Sequence, residues 1–153
     1  LVEDSFALPV SAETYDGFLN DINGFHVSEA HVEAAINSAK DGPTEEGSVG
    51  GGTGMKSFGF KAGSGTASRI VGYGDNDYAV GVFVQANFGD RKDLTILGHR
   101  IGQDLVDPEM IGKTPDTDLS SIIGIIATDA PLLPHQLKRL ARRASLGMGR
   151  TGG

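Results

Sequence analysis

Three groups of residues in this chain have types and spacings that could do chemistry. The run SVGGGTGMKS, Ser48 to Ser57, gathers glycines, a lysine and a serine, the ingredients of a phosphate-binding loop. Its spacing is wrong for that task. A P-loop sets glycine directly before its lysine so that the backbone can wrap the phosphates, and here Met55 precedes Lys56. Upstream, DGPTEEGS is no strand; downstream, MKSFGFKAGSG alternates as a strand would. A dinucleotide G-x-G-x-x-G counted from Gly52 and Gly54 would need its third glycine where Ser57 stands. The run therefore reads as a structural glycine turn. The second group is the histidines His26, His31, His99 and His135, which show neither H-x-x-x-H nor H-E-x-x-H spacing. No serine sits in a G-x-S-x-G elbow. Neither a metal site nor a cofactor is expected.

The third group lies in DTDLSSIIGIIATDAP, where a polar stretch delivers Ser120 and Ser121 to the first position of an apolar strand. If a chain is cut just before such a serine, the new terminus carries a hydroxyl nucleophile and a free α-amine on one residue. With an unperturbed pKa near ~8, that amine can serve as the base for its own hydroxyl, without a histidine. The strand behind would hold the nucleophile still, and the loop before it could leave after the cut. Physical chemistry permits this arrangement without requiring it, since serines begin many strands.

The elements that must position these groups follow from periodicity. SEAHVEAAINSAK predicts a helix with Val32, Ala35, Ile36 and Ala39 on one apolar stripe, Ser28 as N-cap, Glu29 in the first turn, and Asp41-Gly42-Pro43 as the stop. MKSFGFKAG and SRIVGYG are short strand candidates. YAVGVFVQA, Tyr78 to Ala86, predicts a strand buried on both faces, and LTIL, Leu94 to Leu97, a hairpin partner for it. The segment DPEMIGKTPDTDLS reads as an exposed loop and SIIGIIA, Ser121 to Ala127, as another buried strand. PHQLKRLARRASLG predicts a last helix with Pro134 in its first turn, Leu137, Leu140, Ala141 and Ala144 buried, and Gly147 at its end. The basic residues Lys138, Arg139, Arg142 and Arg143 read as a solvated face. Together these suggest an α/β domain with helices layered on sheet.

Composition bounds the rest. With 153 residues, 39% of them hydrophobic, the chain can bury the core of one domain. A formal net charge of −7 speaks against non-specific nucleic-acid binding. The lack of cysteine rules out disulfides and thiolate catalysis but leaves the compartment open, with cytoplasm favoured over periplasm. No apolar run nears the roughly 20 residues of a membrane helix, so no membrane partner is expected. The opening LVEDSFALPV and the closing GRTGG suggest a piece of a longer protein.

LPVSAETYDGFLNDI, GSVGGGTGMKSFGFKAGSGTASR, YAVGVFVQANFG and SIIGIIATDAPLLPHQLKRLARRASLGMGRTGG together resemble one family, and they cover most of the chain in family order. It is the group of L-aminopeptidase/D-Ala-esterase/amidases and β-aminopeptidases, self-cleaving hydrolases with an N-terminal serine nucleophile. The resemblance implies a layered α-β-β-α sandwich, present here in part. It implies a precursor cut between Ser120 and Ser121, with residues 1–120 ending the larger subunit and 121–153 starting the smaller. Ser121 would be the nucleophile. Ser120 stands where the family has glycine or a similar small residue, which keeps Ser120 as the alternative nucleophile. Asn87 would donate to the oxyanion, Glu13 would hold the substrate's ammonium group, and Tyr15 would orient the nucleophile or bond the intermediate. The glycine run would let backbone pass close to the catalytic strands and the partner subunit. A further serine and an acidic residue would come from sequence beyond this chain. The implied substrate is a small peptide or an amino-acid amide or ester, and the implied assembly a homo-oligomer of subunit pairs. Two other readings stand beside this one: a catalytically silent assembly or regulatory domain of the same fold, and a self-processing acetyltransferase, which would need a threonine at the start of a buried strand.

Overall fold

Two tight turns, each entered at a left-handed backbone angle, organise the strands. The computed structural model describes residues 10–105 and 120–153. In the first turn Phe58 and Gly59 both have positive φ, 51° and 70°, the requirement of a two-residue I′ hairpin. It joins β1 (Lys56–Ser57) to β2 (Phe60–Lys61), paired Lys56 to Lys61 and Ser57 to Phe60. In the second, Gly74 at φ 63° opens the two-residue link between β3 (Ser64–Tyr73) and β4 (Asn76–Asn87). β5 (Ser121–Thr128) adds to the other side of β4, giving an antiparallel sheet in the order β3-β4-β5. β4 is thus the central strand, and its register with β5 sets Asn87 opposite Ser121.

The LTIL segment is not the hairpin partner expected for β4. Ile96 bridges only to His99 across a tight turn with Leu97 at φ 51°, and β3 and β5 take both edges of β4. Nor is β4 buried on both faces. Its residues from Tyr78 to Ala86 are half-buried, because no second layer of described residues closes over the sheet. β5 is likewise half open.

The helices depart from expectation in similar ways. α1 (Glu29–Ser38) starts at Ser28 as predicted, and the Ser28 N–H donates to His31 Nδ1 at 3.0 Å. Its apolar stripe is uncovered: Val32 is 54% and Ile36 70% exposed. The last helix is two helices, α2 (Pro134–Ala141) and α3 (Ala144–Thr151), neither with a buried residue, so the expected buried stripe at Leu137, Leu140, Ala141 and Ala144 is absent among the described residues. Gly147 lies inside α3 rather than at its end. The stop is Gly152, whose φ of 97° turns the chain out of the helix. A helix absorbs an internal glycine for about 1 kcal/mol, whereas ending it this way needs a left-handed residue. The loop read over 107–120 lies, save Ser120, outside the described residues.

The tightest packing sits at the end of the sheet where β4 finishes and β5 begins. Met55 is fully buried there, with Phe58 and Leu94 close to it in burial. Phe58 stacks edge-on against Phe88, ring centroids 5.3 Å apart, and its N–H donates to Phe88 O. Arg91 holds the β1–β2 turn, donating to Phe58 O at 2.6 Å and Gly59 O at 2.7 Å while its guanidinium lies 3.3 Å from the Phe60 ring centroid. The best-packed end of the described residues is therefore the end that carries the candidate residues.

Candidate active site

Antiparallel pairing puts directly opposed residues on one face of a sheet. Ser121, the first residue of β5, and Asn87, the last of β4, are such a pair. Asn87 Nδ2 donates to Ser121 Oγ at 2.9 Å. The chain segment before α1 crosses this end of the sheet, and there the Tyr15 N–H donates to the same Oγ at 3.1 Å. Both lone pairs of the hydroxyl oxygen are taken by N–H donors. Its own proton is left to point away from them, and negative charge developing on Oγ would be met by two dipoles already in place.

Asn87 is held on three sides. Its second Nδ2 hydrogen goes to Tyr15 O at 2.8 Å, and its Oδ1 accepts the Lys56 N–H at 3.0 Å. A carbonyl can only accept and a backbone N–H can only donate, so these two partners fix which way the amide faces. The residue is 5% exposed, and in so dry a setting each of these bonds is stronger than in water.

The glycine run is what allows Lys56 to arrive there. Gly50–Gly54 is a 3-10 turn leading into β1, not a loop opening a helix. A Cβ on Gly52 would meet Gly47 O and the Ser64 backbone; on Gly54 it would meet Asp16 and Asn20. The run is thus a place of close approach beside the site, to backbone at Gly52 and to side chains at Gly54.

Of the residues singled out from sequence, the structure brings Ser121, Asn87 and Tyr15 together. Tyr15 takes part through its main chain. Its phenol ring instead meets Phe18 edge-on at 5.6 Å, and its Oη lies over Gly17. Glu13 is exposed, two residues upstream of Tyr15, with no ion-pair or hydrogen-bond partner among the described residues. Ser120 is exposed and sits one residue outside β5. One contributor was not anticipated, the Lys56 N–H; beside the site, and touching neither Ser121 nor Asn87, Gln85 Nε2 bonds Thr14 Oγ1 at 2.5 Å. Gln85 had a signal, a second polar residue two positions before Asn87 in an otherwise apolar strand. Thr14 and Lys56 had none.

A profile of peptidase family S58 matches residues 2–153. The chain belongs to peptidase family S58. Within that family, β-peptidyl aminopeptidase BapA of Sphingosinicella microcystinivorans is 54% identical over 155 residues, 94% of this chain and 39% of that protein. The solved L-aminopeptidase D-Ala-esterase/amidase of Ochrobactrum anthropi, described as a variant of the N-terminal-nucleophile hydrolase fold, matches with a TM-score of 0.86 at 55% identity, over 98% of this chain and 40% of that one. A β-aminopeptidase of Burkholderia sp. matches with a TM-score of 0.78 at 51% identity, over 92% of this chain and 37% of that one. Family S58 membership and the N-terminal-nucleophile hydrolase fold agree with what the four sequence stretches implied. The chain spans well under half the length of each of these S58 relatives.

Proposed function

We propose that the protein to which this chain belongs is a self-processing serine aminopeptidase with Ser121 as nucleophile. The observation that carries the reading is the pair of donors on Ser121 Oγ, Asn87 Nδ2 at 2.9 Å and the Tyr15 N–H at 3.1 Å. The β4–β5 register favours Ser121 over Ser120, because Ser121 is the residue opposite Asn87.

Self-processing starts when Ser121 Oγ attacks the carbonyl carbon of Ser120. The C–O bond forms, the C–N bond to Ser121 breaks, and the hydroxyl proton ends on the departing nitrogen. Water then hydrolyses the ester, leaving a carboxylate on Ser120 and a free amine on Ser121 (residues 1–120 and 121–153 then fall in different subunits). In turnover that amine takes the Oγ proton as Oγ attacks the substrate carbonyl and passes it to the leaving amine or alcohol. Water releases the acyl group. Asn87 Nδ2, already beside Oγ, is placed to follow onto the oxyanion. Glu13, an exposed carboxylate two residues before Tyr15 with no partner among the described residues, suits the substrate's ammonium group, which would restrict cleavage to the first residue. The names of the S58 relatives support aminoacyl amides and esters and β-peptides as substrate classes.

The test is the intact mass of the purified full-length protein beside its Ser121→Ala variant. Two pieces parting before Ser121 in the parent and one uncut chain in the variant are expected. An uncut chain in both, without activity on any aminoacyl amide, would overturn the reading in favour of a silent domain of the same fold.

A further inference from the structure

Gln85 and Asn87 stand two residues apart on β4 and so share a face. The chain at residues 14 and 15 crosses both. Asn87 Nδ2 grips Tyr15 O at 2.8 Å and Gln85 Nε2 grips Thr14 Oγ1 at 2.5 Å. Consecutive residues of the crossing segment are thus held by consecutive same-face amides of the strand. The Asn87 rung belongs to the site already described; the Gln85 rung does not. Gly51 backs it. A Cβ placed on Gly51 would meet Gln85 Oε1, then Nε2, then Cδ, before anything else. The Gln85 amide is therefore boxed between Gly51 and the Thr14 hydroxyl.

We infer that Gln85, Thr14 and Gly51 form a positioning clamp that sets where Glu13 stands relative to Ser121, and so governs capture of the substrate's ammonium group. The inference rests on the aminopeptidase reading. Its physical basis is the asymmetry of the two rungs. Tyr15 keeps its own tie to Asn87 when Gln85 is lost, so the donors on Ser121 Oγ stay in place. Glu13 lies on the far side of Thr14 and has no partner of its own among the described residues. Loosening Thr14 therefore frees Glu13 first. The effect falls on substrate binding and leaves the chemical step nearly untouched.

The experiment uses the full-length protein with Gln85→Leu, Thr14→Val and Thr14→Ser, assayed on an amino-acid p-nitroanilide with a free amine. All three should cut themselves as the parent does. A single neutral hydrogen bond predicts that Gln85→Leu and Thr14→Val raise KM by about two- to tenfold, with kcat close to the parent's. Thr14→Ser, which keeps the hydroxyl, should restore the parent KM. The double variant should be no worse than either single one, because both remove the same bond. Gly51→Ala should behave like Gln85→Leu. A fall in kcat at constant KM, additive losses, or failure of Thr14→Ser to rescue would each overturn the clamp. Backbone ¹⁵N relaxation at Glu13, measured on the same proteins, needs no activity. It should report greater mobility in Gln85→Leu and Thr14→Val but not in Thr14→Ser, with amide hydrogen exchange at Tyr15 unchanged in all three. If the parent proves inactive, the aminopeptidase reading fails on its own, and unchanged mobility at Glu13 would sink the clamp separately.

Discussion

At the scale of single residues the site depends on which atoms donate. Ser121 Oγ faces two N–H groups, and the Asn87 amide faces one acceptor, one hydroxyl and one donor. Asn87→Asp keeps the shape and reverses the chemistry. A carboxylate oxygen would be set against Tyr15 O, which needs a donor, and against Ser121 Oγ, whose hydroxyl would have to turn and donate where it now accepts. Loss of an oxyanion donor costs about 10²–10³ in kcat, and orphaned buried groups cost about 1–3 kcal/mol in stability. The expected outcome is slow or absent self-cleavage together with a lowered melting temperature, read by mass and by thermal unfolding. Asn87→Asp protein that cuts itself at the parent's rate would show that this amide has no part in the chemistry. Ser121 was legible from its own residues only as a permitted nucleophile at the head of an apolar strand. Both its role and that of Asn87 were singled out through the family resemblance, since a serine or an asparagine at a strand end is ordinary on its own. The Tyr15 contribution was only half legible. A main-chain N–H has no residue type, and its direction depends on how residues 14 and 15 cross β4.

At the scale of elements, strand existence was read well and strand environment was not. Tyr78–Ala86 and Ser121–Ala127 became β4 and β5 within two residues at each end. Continuous apolarity cannot report which neighbouring layers are present, so both strands were expected to be buried and are half open. The Leu94–Leu97 error has a different origin: a short apolar run fits a strand or a turn equally well, and Leu97 at positive φ decides for the turn. An element-scale contact that pattern alone does not reveal is Glu46 on the edge of β3. Its Oε1 accepts from the Thr66 hydroxyl at 2.6 Å and the Thr66 N–H at 2.7 Å. Those bonds, the hydroxyl first, hold the carboxyl below its ordinary value of 4.5. A lowered folded pKa means that the contact is fully present above the ordinary value and is lost as pH falls through the lowered one. An NMR titration should give a Glu46 midpoint below 4.5, and Thr66→Ala should raise it. An ordinary midpoint in the parent would show that the bond does not hold in solution.

At the scale of the whole molecule, residues 121–153 run out from the site and return to it. β5 leaves from Ser121 opposite Asn87, and α3 brings the chain back so that the Thr95 N–H bonds Thr151 O at 2.9 Å. Gly152 turns at φ 97° against Asp93 O, and Gly153 lies against the Phe88 ring. Gly152→Ala would force a side chain into that left-handed angle and against that carbonyl, a loss of about 1–3 kcal/mol. Gly147→Ala has open space within a helix and should gain about 0.5–1 kcal/mol. Urea unfolding of both changes on a Ser121→Ala background, which would keep the chain in one piece if Ser121 is the proposed nucleophile, measures the contrast; equal effects would mean that residues 151 to 153 are not docked. The out-and-back path gains a kinetic meaning if the chain is cut as proposed. A stretch moored at two separate places leaves only when both moorings are open together, and each one, while closed, keeps the other at high effective concentration. Severing the backbone before Ser121 would then expose a reactive terminus while the stretch that follows it stays tied at residues 151 to 153.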